Sequence, residues 1–483
     1  MKYRQHIAKV FVAAVAVVTF VSCSDSYPGL EYTGNDISLS TNESMDKTPV
    51  MVFINEQNFF SVSATRSGEG EEGRKYGTGP FTDLTNPKYK NSLFYVFAFR
   101  GQEFTQGYLA GHPIDLSKSR FSDRGSEDNV TDCLVDGKEY EYGALAQLTE
   151  DYPGAFRLGE ELEEKDGYVK GKLLSKEYYY GYSDQRLGYN FFAFHIDNLK
   201  ENGMSAPHRN QDQIYYDITI DGTQDVMCGF APRLTRGELD TRKGLKLNEE
   251  EKSTILNESD GLYSTFSAHR NINPVIDLTH QLTRLDFSLY PGDDRADDIV
   301  IEEISVRAQT HGKLVVATRD PHNGSADAEI AVGYYPFGEK EDVILRDKPE
   351  NGGQCPEMDW SKYPISWNPK FKENIYHDDN EVKVGSSIMV PEADKYDITL
   401  KFHQKARDAD GKVIEGQYIG GDAPLTVTYE NISPKSSGFL RGYNYKISIA
   451  VYGLQPIKVD AFIHKWDDGG DVPVGDEDDE IRQ

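Results

Sequence analysis

The chain has 483 residues, of which 80 are acidic and 52 are basic, so its formal net charge is −28. A nucleic acid ligand requires a positively charged face, and this charge excludes nucleic acid as a partner. Aromatic residues make up 12% of the chain, which favours a folded protein rich in β-sheet over a disordered one.

The first 22 residues are typical of a bacterial export signal. A basic stretch precedes an apolar run over residues 10–21, which is too short to cross a bilayer as a helix, since that needs about 20 residues. Cys23 follows Ser22 at the end of the run, as in the lipobox of lipoproteins. We therefore predict a signal peptide over residues 1–22 and lipidation of Cys23, with ordinary secretory cleavage as the alternative.

Residues 23–77 form an N-terminal segment with two candidate strands, ISLST at 37–41 and MVFINEQNFFSVS at 51–63. The segment ends in ATRSGEGEEGRKYG at 64–77, whose glycines have the G-x-G-x-x-G spacing of a dinucleotide loop. Glutamates fill the positions where an anion would bind and no helix can start behind them, which argues against a nucleotide site.

The loop at 64–77 is instead predicted to be exposed and open to proteolysis, because glycine and clustered like charge both resist packing. It carries Arg66 and Arg74 as cleavage positions. An unprocessed loop is the alternative.

Most of the remaining chain shows the two-residue alternation of half-buried antiparallel strands. Candidate strands lie at 91–99, 190–197, 214–221, 285–289, 298–306, 313–318, 395–404 and 423–430. NYKISIAVY and PIKVDAFIHKW, near the end, predict a terminal β-hairpin. Short helical patterns occur at 143–148 and 247–256.

This pattern predicts an all-β fold of two β-sandwich domains in tandem, with few short helices. A change in composition over 311–330 gives an N-terminal sandwich at 78–325 and a C-terminal sandwich at 326–466. The acidic residues 467–483 form a tail that we expect to be solvated.

Motifs for enzymatic chemistry are absent from the sequence, so we expect no enzyme and no cofactor. His269 and His280 lack further ligands at metal-binding spacings, and the acidic stretches at 291–298 and 407–412 are turns that match no complete calcium loop. Paired glycosidase carboxylates would leave no sequence trace.

Three cysteines remain after Cys23, namely Cys133, Cys228 and Cys355, and their wide spacing defines no disulfide framework. They form either one disulfide and one thiol or three reduced, buried cysteines, and we favour the second arrangement.

Several stretches together resemble the fimbrillins, the lipoprotein precursors of type V pili. They are the lipobox at Cys23, the SATRS stretch at 63–67, DLTHQLTRLDFSLYPG at 277–292 and the ending from 439 to 470. The resemblance implies transthyretin-like, Greek-key sandwiches and a location on the outer membrane or in a fimbrium. Residues 101–270 resemble nothing comparable.

Fimbrillins lose their first strand when an Arg-directed protease cuts the loop behind it, and a donor strand from another subunit fills the groove. Arg66 matches the cleavage position by its Thr-Arg context, and Arg74 is the second choice. The implied partners are other fimbrial subunits, a receptor on a host or bacterial surface, and the outer membrane through the N-terminal lipid. The acidic extension departs from the family's donor strands, which leaves stalk, tip, anchor and accessory roles open.

A second hypothesis is a surface lipoprotein that binds glycans and does not polymerise. It rests on the tyrosine-rich stretch KEYYYGYSDQRLGY at 176–189. Tyrosines in such a stretch more often pack in strands than bind sugars.

Overall fold

The computed structural model describes seventeen parts of the chain. They are residues 48–54, 94–100, 114–117, 133–136, 143–148, 155–161, 174–180, 188–196, 206–232, 234, 268–269, 272–319, 321, 331–347, 355–434, 438–453 and 458–464. The predicted signal peptide, the tail at 467–483 and the helix at 247–256 lie outside them.

The all-β prediction is confirmed. The strands are β1 (Met51–Ile54), β2 (Tyr95–Arg100), β3 (Cys133–Val135), β4 (Ala144–Leu148), β5 (Ala155–Glu161), β6 (Leu174–Glu177), β7 (Gly188–Ile196), β8 (His208–Arg209), β9 (Gln213–Thr219), β10 (Val226–Phe230), β11 (Ala268–His269), β12 (Val275–His280), β13 (Thr283–Pro291), β14 (Ile299–Thr318), β15 (Gly333–Ile344), β16 (Val382–Val390), β17 (Tyr396–Arg407), β18 (Val413–Tyr418), β19 (Leu425–Ile432), β20 (Asn444–Val451) and β21 (Lys458–His464). The helices in the described residues are 3-10 turns at Ala296–Asp298, Trp360–Lys362, Pro369–Phe371 and Asp378–Asn380.

The helix predicted at residues 143–148 is wrong, because this stretch forms β4 between β2 and β5. Ala144, Leu145 and Ala146 are all buried. Alanine and leucine favour a helix in isolation, but pairing with two strands and burial on both faces outweigh this intrinsic preference.

The first sheet closes on itself. Its strands follow one another as β7, β10, β12, β1, β5, β4 and β2, and β2 pairs again with β7. Side chains inside this ring form the first core, which includes Val96, Phe156, Leu158 and Ile276. Ring closure leaves no free edge between these seven strands.

Two further sheets build the rest of the described structure. One has four strands in the order β16, β13, β20 and β21. The other, which we call the long sheet, has seven strands, with β14 and β17 at its centre. Leu285, Ile304 and Ile447 meet in a second core between these two sheets.

β14 is a 20-residue strand that serves two cores. Its first half pairs with β17 and contributes Ile304 to the second core. Its second half pairs with β9, and there Leu314 packs with ring-derived side chains such as Phe194 in a third core. The stretch in which we predicted the domain boundary therefore begins inside a continuous strand.

The predicted terminal hairpin is present, since β20 and β21 pair antiparallel from Asn444↔His464 to Ala450↔Lys458. Tyr445, Ile447 and Ile449 are buried in the second core, as their alternation predicts.

A buried carboxylate anchors the start of β14. The side chain of Asp298 is 1% exposed and accepts hydrogen bonds from Arg407 Nε at 2.8 Å and from Arg295 Nε at 2.9 Å. Burial alone would raise the pKa of this carboxyl, but the hydrogen bonds from the two guanidinium groups outweigh it and hold the pKa below its ordinary value.

We expect Asp298→Asn to lower the free energy of unfolding by about 3 kcal/mol at neutral pH, because it leaves two guanidinium groups without their anion. Since the folded-state pKa is depressed, the contribution is complete above the unfolded pKa of about 3.9 and is lost as the pH falls through the folded value. Urea titrations between pH 7 and pH 3 should show the deficit shrinking. Asp342→Asn is the control, because Asp342 pairs with Arg307 while 57% exposed, and it should cost under about 1 kcal/mol. Equal effects of the two substitutions would contradict this assignment.

Candidate functional site

The candidate site is the position that β1 occupies between β5 and β12, which we call the β1 slot. Val50, Val52 and Ile54 alternate along the chain and all three side chains lie in the first core. Met51, on the opposite face, is also buried. Alternate side chains thus point into the first core, and the opposite face is covered as well. β1 therefore lies in the wall of the ring as a strand covered on both faces.

The backbone of β1 is bonded on both sides. Met51, Val52 and Phe53 pair antiparallel with Arg157, Phe156 and Ala155 of β5. On the other side Phe53 and Ile54 pair parallel with Val275 and Ile276 of β12. All other pairings of described strands in this sheet are antiparallel.

Three further hydrogen bonds extend the slot toward the residues before β1. Tyr180 N donates to Thr48 O at 3.0 Å, and Leu158 N donates to Val50 O at 3.3 Å. Val50 N in turn donates to Tyr178 O at 2.9 Å. Without this segment, the N–H groups of Leu158 and Tyr180 would lose their acceptors, and the carbonyl of Tyr178 would lose its donor.

The segment also seals the first core. Val50 and Val52 are fully buried and Ile54 is nearly so. Burying one aliphatic side chain of this size stabilises a fold by about 1.5–3 kcal/mol. A gap at this position would therefore expose apolar core together with unpaired backbone groups, which is the chemistry that a new strand satisfies.

The predicted processing and lipidation residues, Arg66, Arg74 and Cys23, lie outside the described residues. Their order in the sequence still matters, because Arg66 lies twelve residues after Ile54. A cut at Arg66 separates all of β1 from the rest of the ring in the covalent chain.

The terminal strand has the opposite setting. Among the described strands β21 pairs with β20 alone and forms an edge of its sheet. β20, by contrast, is bonded by its side chains to the interior of the sheet. Asn444 Nδ2 donates to Asp286 Oδ2 of β13 at 2.7 Å, and Lys446 Nζ lies 2.9 Å from Glu381 Oε1. Burial works to lower the pKa of Lys446, but the hydrogen bond to Glu381 outweighs it and raises the pKa, so this amine stays charged.

β1 and β21 carry related sequences. Residues 50–54 read VMVFI and residues 459–463 read VDAFI, identical at three of five positions. Val52 corresponds to Ala461, a smaller apolar side chain, and Met51 corresponds to Asp460. This relation is visible in the sequence, but nothing distinguishes it from chance until β1 is known to lie inside the ring and β21 at an edge.

The other sequence candidates have structural roles. His280 Nδ1 lies 2.9 Å from Asp225 Oδ1, and both side chains are buried. Asp408 accepts from the backbone N–H groups of Asp410 and Lys412 and thereby forms the turn between β17 and β18. No group of three potential metal ligands occurs among the described residues.

The described tyrosines of the stretch at 176–189 are mostly core side chains. Tyr178 and Tyr180 lie in the first core, 2% and 5% exposed, and Tyr179 O–H donates to Glu177 Oε2 at 3.0 Å. The rings of Tyr178 and Tyr180 are therefore closed to a glycan, and Tyr182 lies outside the described residues.

Cys133, Cys228 and Cys355 form no disulfide with one another. Cys133 and Cys228 are buried as expected, whereas Cys355 is half-buried. Burial raises the pKa of the Cys228 thiol, so it stays protonated at neutral pH.

No protein-family model and no curated protein matches the chain. Among solved structures, a candidate cell adhesion protein from Bacteroides uniformis is 12% identical with a TM-score of 0.33, covering 67% of this chain and 84% of its own. The fimbrial anchor protein Mfa2 from Porphyromonas gingivalis is 10% identical with a TM-score of 0.28, covering 79% and 90%. A candidate cell adhesion protein from Parabacteroides distasonis is 10% identical with a TM-score of 0.28, covering 86% and 96%. TM-scores in this range do not establish a shared fold.

Among the described residues, no helix has the length and apolar character needed to span a bilayer.

We expect Val52→Asp to destabilise the protein by at least about 3 kcal/mol, because it places an unpaired carboxylate inside the first core and loosens ring closure. A urea titration followed by tryptophan or tyrosine fluorescence measures this loss. Thr428→Asp introduces the same group at an exposed strand position and should change stability by under about 1 kcal/mol. A Val52→Asp protein as stable as the Thr428→Asp protein would show that β1 does not close the ring.

Proposed function

We propose that this protein is a cell-surface fimbrial subunit or fimbria-associated adhesin, exported as a lipoprotein and assembled by exchange of its first strand. The observation that carries the proposal is the position of β1, a four-residue strand in the wall of a closed ring. In the sequence it precedes the loop at 64–77, which we predict to be open to proteolysis.

The mechanism follows from the β1 slot. Cleavage at Arg66 leaves residues before it attached to the ring by hydrogen bonds and apolar contacts alone. Their departure opens the ring between β5 and β12 and exposes core side chains such as Leu158 and Ile276. An incoming strand restores both the hydrogen bonds and the buried apolar area, and these two gains drive its binding.

The slot also defines what can enter it. An incoming strand must run parallel to β12 and antiparallel to β5, and it must present apolar side chains at every second position. Residues 459–463 satisfy the alternation with Val459, Ala461 and Ile463. We propose β21 of a neighbouring copy, or a similar strand of another subunit, as the donor.

Lipidation of Cys23 holds the precursor at the outer membrane until cleavage removes the lipid together with β1. One acyl chain gives only weak, reversible membrane binding, whereas two chains on the same terminus anchor a folded domain stably. The strand that keeps the subunit closed and the lipid that keeps it at the membrane would then leave in one step.

Treatment of the intact protein with an Arg-specific protease should produce a new N-terminus at Ser67 and, after release of the small fragment, higher-order species in size-exclusion chromatography. Intact-mass measurement identifies the cut. Arg66→Ala should shift cleavage to Arg74, and the Arg66→Ala, Arg74→Ala double variant should neither lose the fragment nor assemble. Cleavage at Ser67 that leaves a monomer unable to bind any strand would refute the proposal.

A synthetic peptide of residues 458–464 should bind the cleaved protein and block its assembly. The variant peptide with Asp460→Met should bind about tenfold more tightly or better, because Asp460 takes the place of the buried Met51 and its carboxylate has no partner there. Fluorescence anisotropy with a labelled peptide measures the affinities, and a scrambled peptide is the control. Equal affinity of the scrambled peptide would exclude β21 as the donor while leaving cleavage and assembly to be judged by the protease experiment.

A further inference from the structure

The outer face of the long sheet is divided into two halves of different chemistry. Around β17 its side chains pair with one another in the manner of a solvated face. The pairs are Lys401 with Glu303 at 2.9 Å, Arg307 with Asp342 at 3.2 Å and Thr399 with Thr428 at 3.0 Å. These three pairs join charged or hydroxyl groups, and the aromatic pair beside them, His403 of β17 with Tyr418 of β18, has its ring centroids 4.4 Å apart.

The other half, across β9, the second half of β14 and the first half of β15, carries aromatic rings. We call it the outer platform and define it by Tyr215, Asp217, His311, Lys313, Tyr335 and Phe337. The strand register places Asp217, Lys313 and Tyr335 in one row and His311 and Phe337 in the next. All six positions are half-buried or exposed.

A β-bulge presents Phe337 to solvent. The register between β14 and β15 shifts from Gln309↔Lys340 to His311↔Phe337, which leaves an extra residue on β15. Gly338 lies there at φ +86°, a left-handed conformation that favours glycine. Gln309 Nε2 fixes the bulge by donating to Gly338 O at 2.8 Å. Bulges that re-aim a side chain are found preferentially next to functional sites.

Phe337 is the most exposed large apolar side chain among the described residues, at 49%. A single exposed ring needs no explanation by itself. Here, however, it lies two residues from Tyr335 on β15 and on the same face as Tyr215 of β9. His311 and Lys313 lie on β14, between these two strands. The face therefore offers apolar rings separated by polar groups.

Tyr215 is held in place before any ligand arrives. The ring of His208 stacks on it at 4.9 Å, and Lys313 Nζ lies 4.3 Å from its ring centroid. Asp217 is also fixed, because its Oδ2 lies 3.1 Å from His208 Nε2. Side chains that are ordered in advance lose less entropy on binding.

We propose that the outer platform binds a neutral oligosaccharide. A sugar ring has an apolar C–H face that stacks on an aromatic ring and a rim of hydroxyl groups that both donate and accept. On the platform, the rings of Tyr335 and Phe337 can stack on the C–H face of a sugar. Asp217 can accept hydrogen bonds from its hydroxyl groups, and Lys313 can donate to them. The net charge of −28 repels polyanions, which selects neutral glycans over acidic ones.

A protein partner fits this face less well. The centre of a protein interface is a continuous apolar patch from which charged groups are depleted. On the outer platform Lys313 and His311 lie between the rings and interrupt any such patch. A ligand that matches the observed spacing of apolar and polar groups on the platform is a small amphiphilic ring, such as a sugar.

The test begins with the full-length protein on an array of neutral and acidic oligosaccharides, followed by calorimetric titration of the strongest neutral ligand. Phe337→Ala should weaken binding about tenfold or more, and Phe337→Tyr should keep it within about threefold because the ring remains. Leu440→Ala is the matched control, since Leu440 is the other exposed large apolar side chain among the described residues, at 37%. It should leave the affinity within twofold.

Thermal unfolding of each variant distinguishes a lost contact from a lost fold, and the melting temperatures should agree with that of the unsubstituted protein. Three results would overturn the proposal: no neutral glycan bound by the unsubstituted protein, binding of acidic glycans alone, or equal losses in Phe337→Ala and Leu440→Ala. Self-association abolished by Phe337→Ala, without glycan binding, would assign the face to a second copy instead.

Discussion

The first core depends on ring closure by β1. Four residues supply the contacts that join β5 to β12, and the side chains of Val52 and Ile54 fill the core behind them. A sheet that closes on itself leaves no strand edge exposed, which protects the protein from unwanted strand pairing. The same closure places a single short strand between β5 and β12, so its removal would open the ring at that point.

β14 connects this ring to the rest of the molecule. Its second half packs against the ring through the third core, and its first half builds the second core with β13 and β20. The parts of the molecule that the proposals use lie in three different sheets. The β1 slot lies in the ring, the edge strand β21 lies in the four-stranded sheet, and the outer platform lies on the opposite face of the long sheet. Strand exchange and glycan binding would not compete for the same surface.

Much of the fold could be predicted from the sequence, because antiparallel strands with one buried face carry a local signal. The alternation in β13, β17 and β20 gave the correct strands, and the turn at Asp408 was read from its acidic and glycine residues. The same local reasoning failed at β4, where Ala144 and Leu145 have helical propensity and only their pairing with distant strands makes them extended.

The site was less accessible to sequence reasoning. MVFI at 51–54 is recognisable as a strand, but its parallel partner Val275 lies more than 200 residues later, and no local pattern encodes such a pairing. The tyrosine-rich stretch at 176–189 suggested a glycan site for a similar reason, because a local pattern does not show which side chains are buried. Tyr178 and Tyr335 look alike in sequence, and only the sheet decides that the first faces the core and the second the outer platform. Alternation says that two faces exist and leaves open which one is covered.

The most direct test of the central claim is amide hydrogen exchange before and after cleavage at Arg66 and removal of the N-terminal fragment. In the intact protein, the amides of Leu158 and Tyr180 donate to carbonyls of residues 48–50 and should be protected. After removal both should exchange rapidly and regain protection when a donor strand binds, while Leu345, which donates to Ile304 in the long sheet, should be unaffected throughout. Unchanged protection at Leu158 and Tyr180 after the fragment has gone would show that β1 does not close the ring.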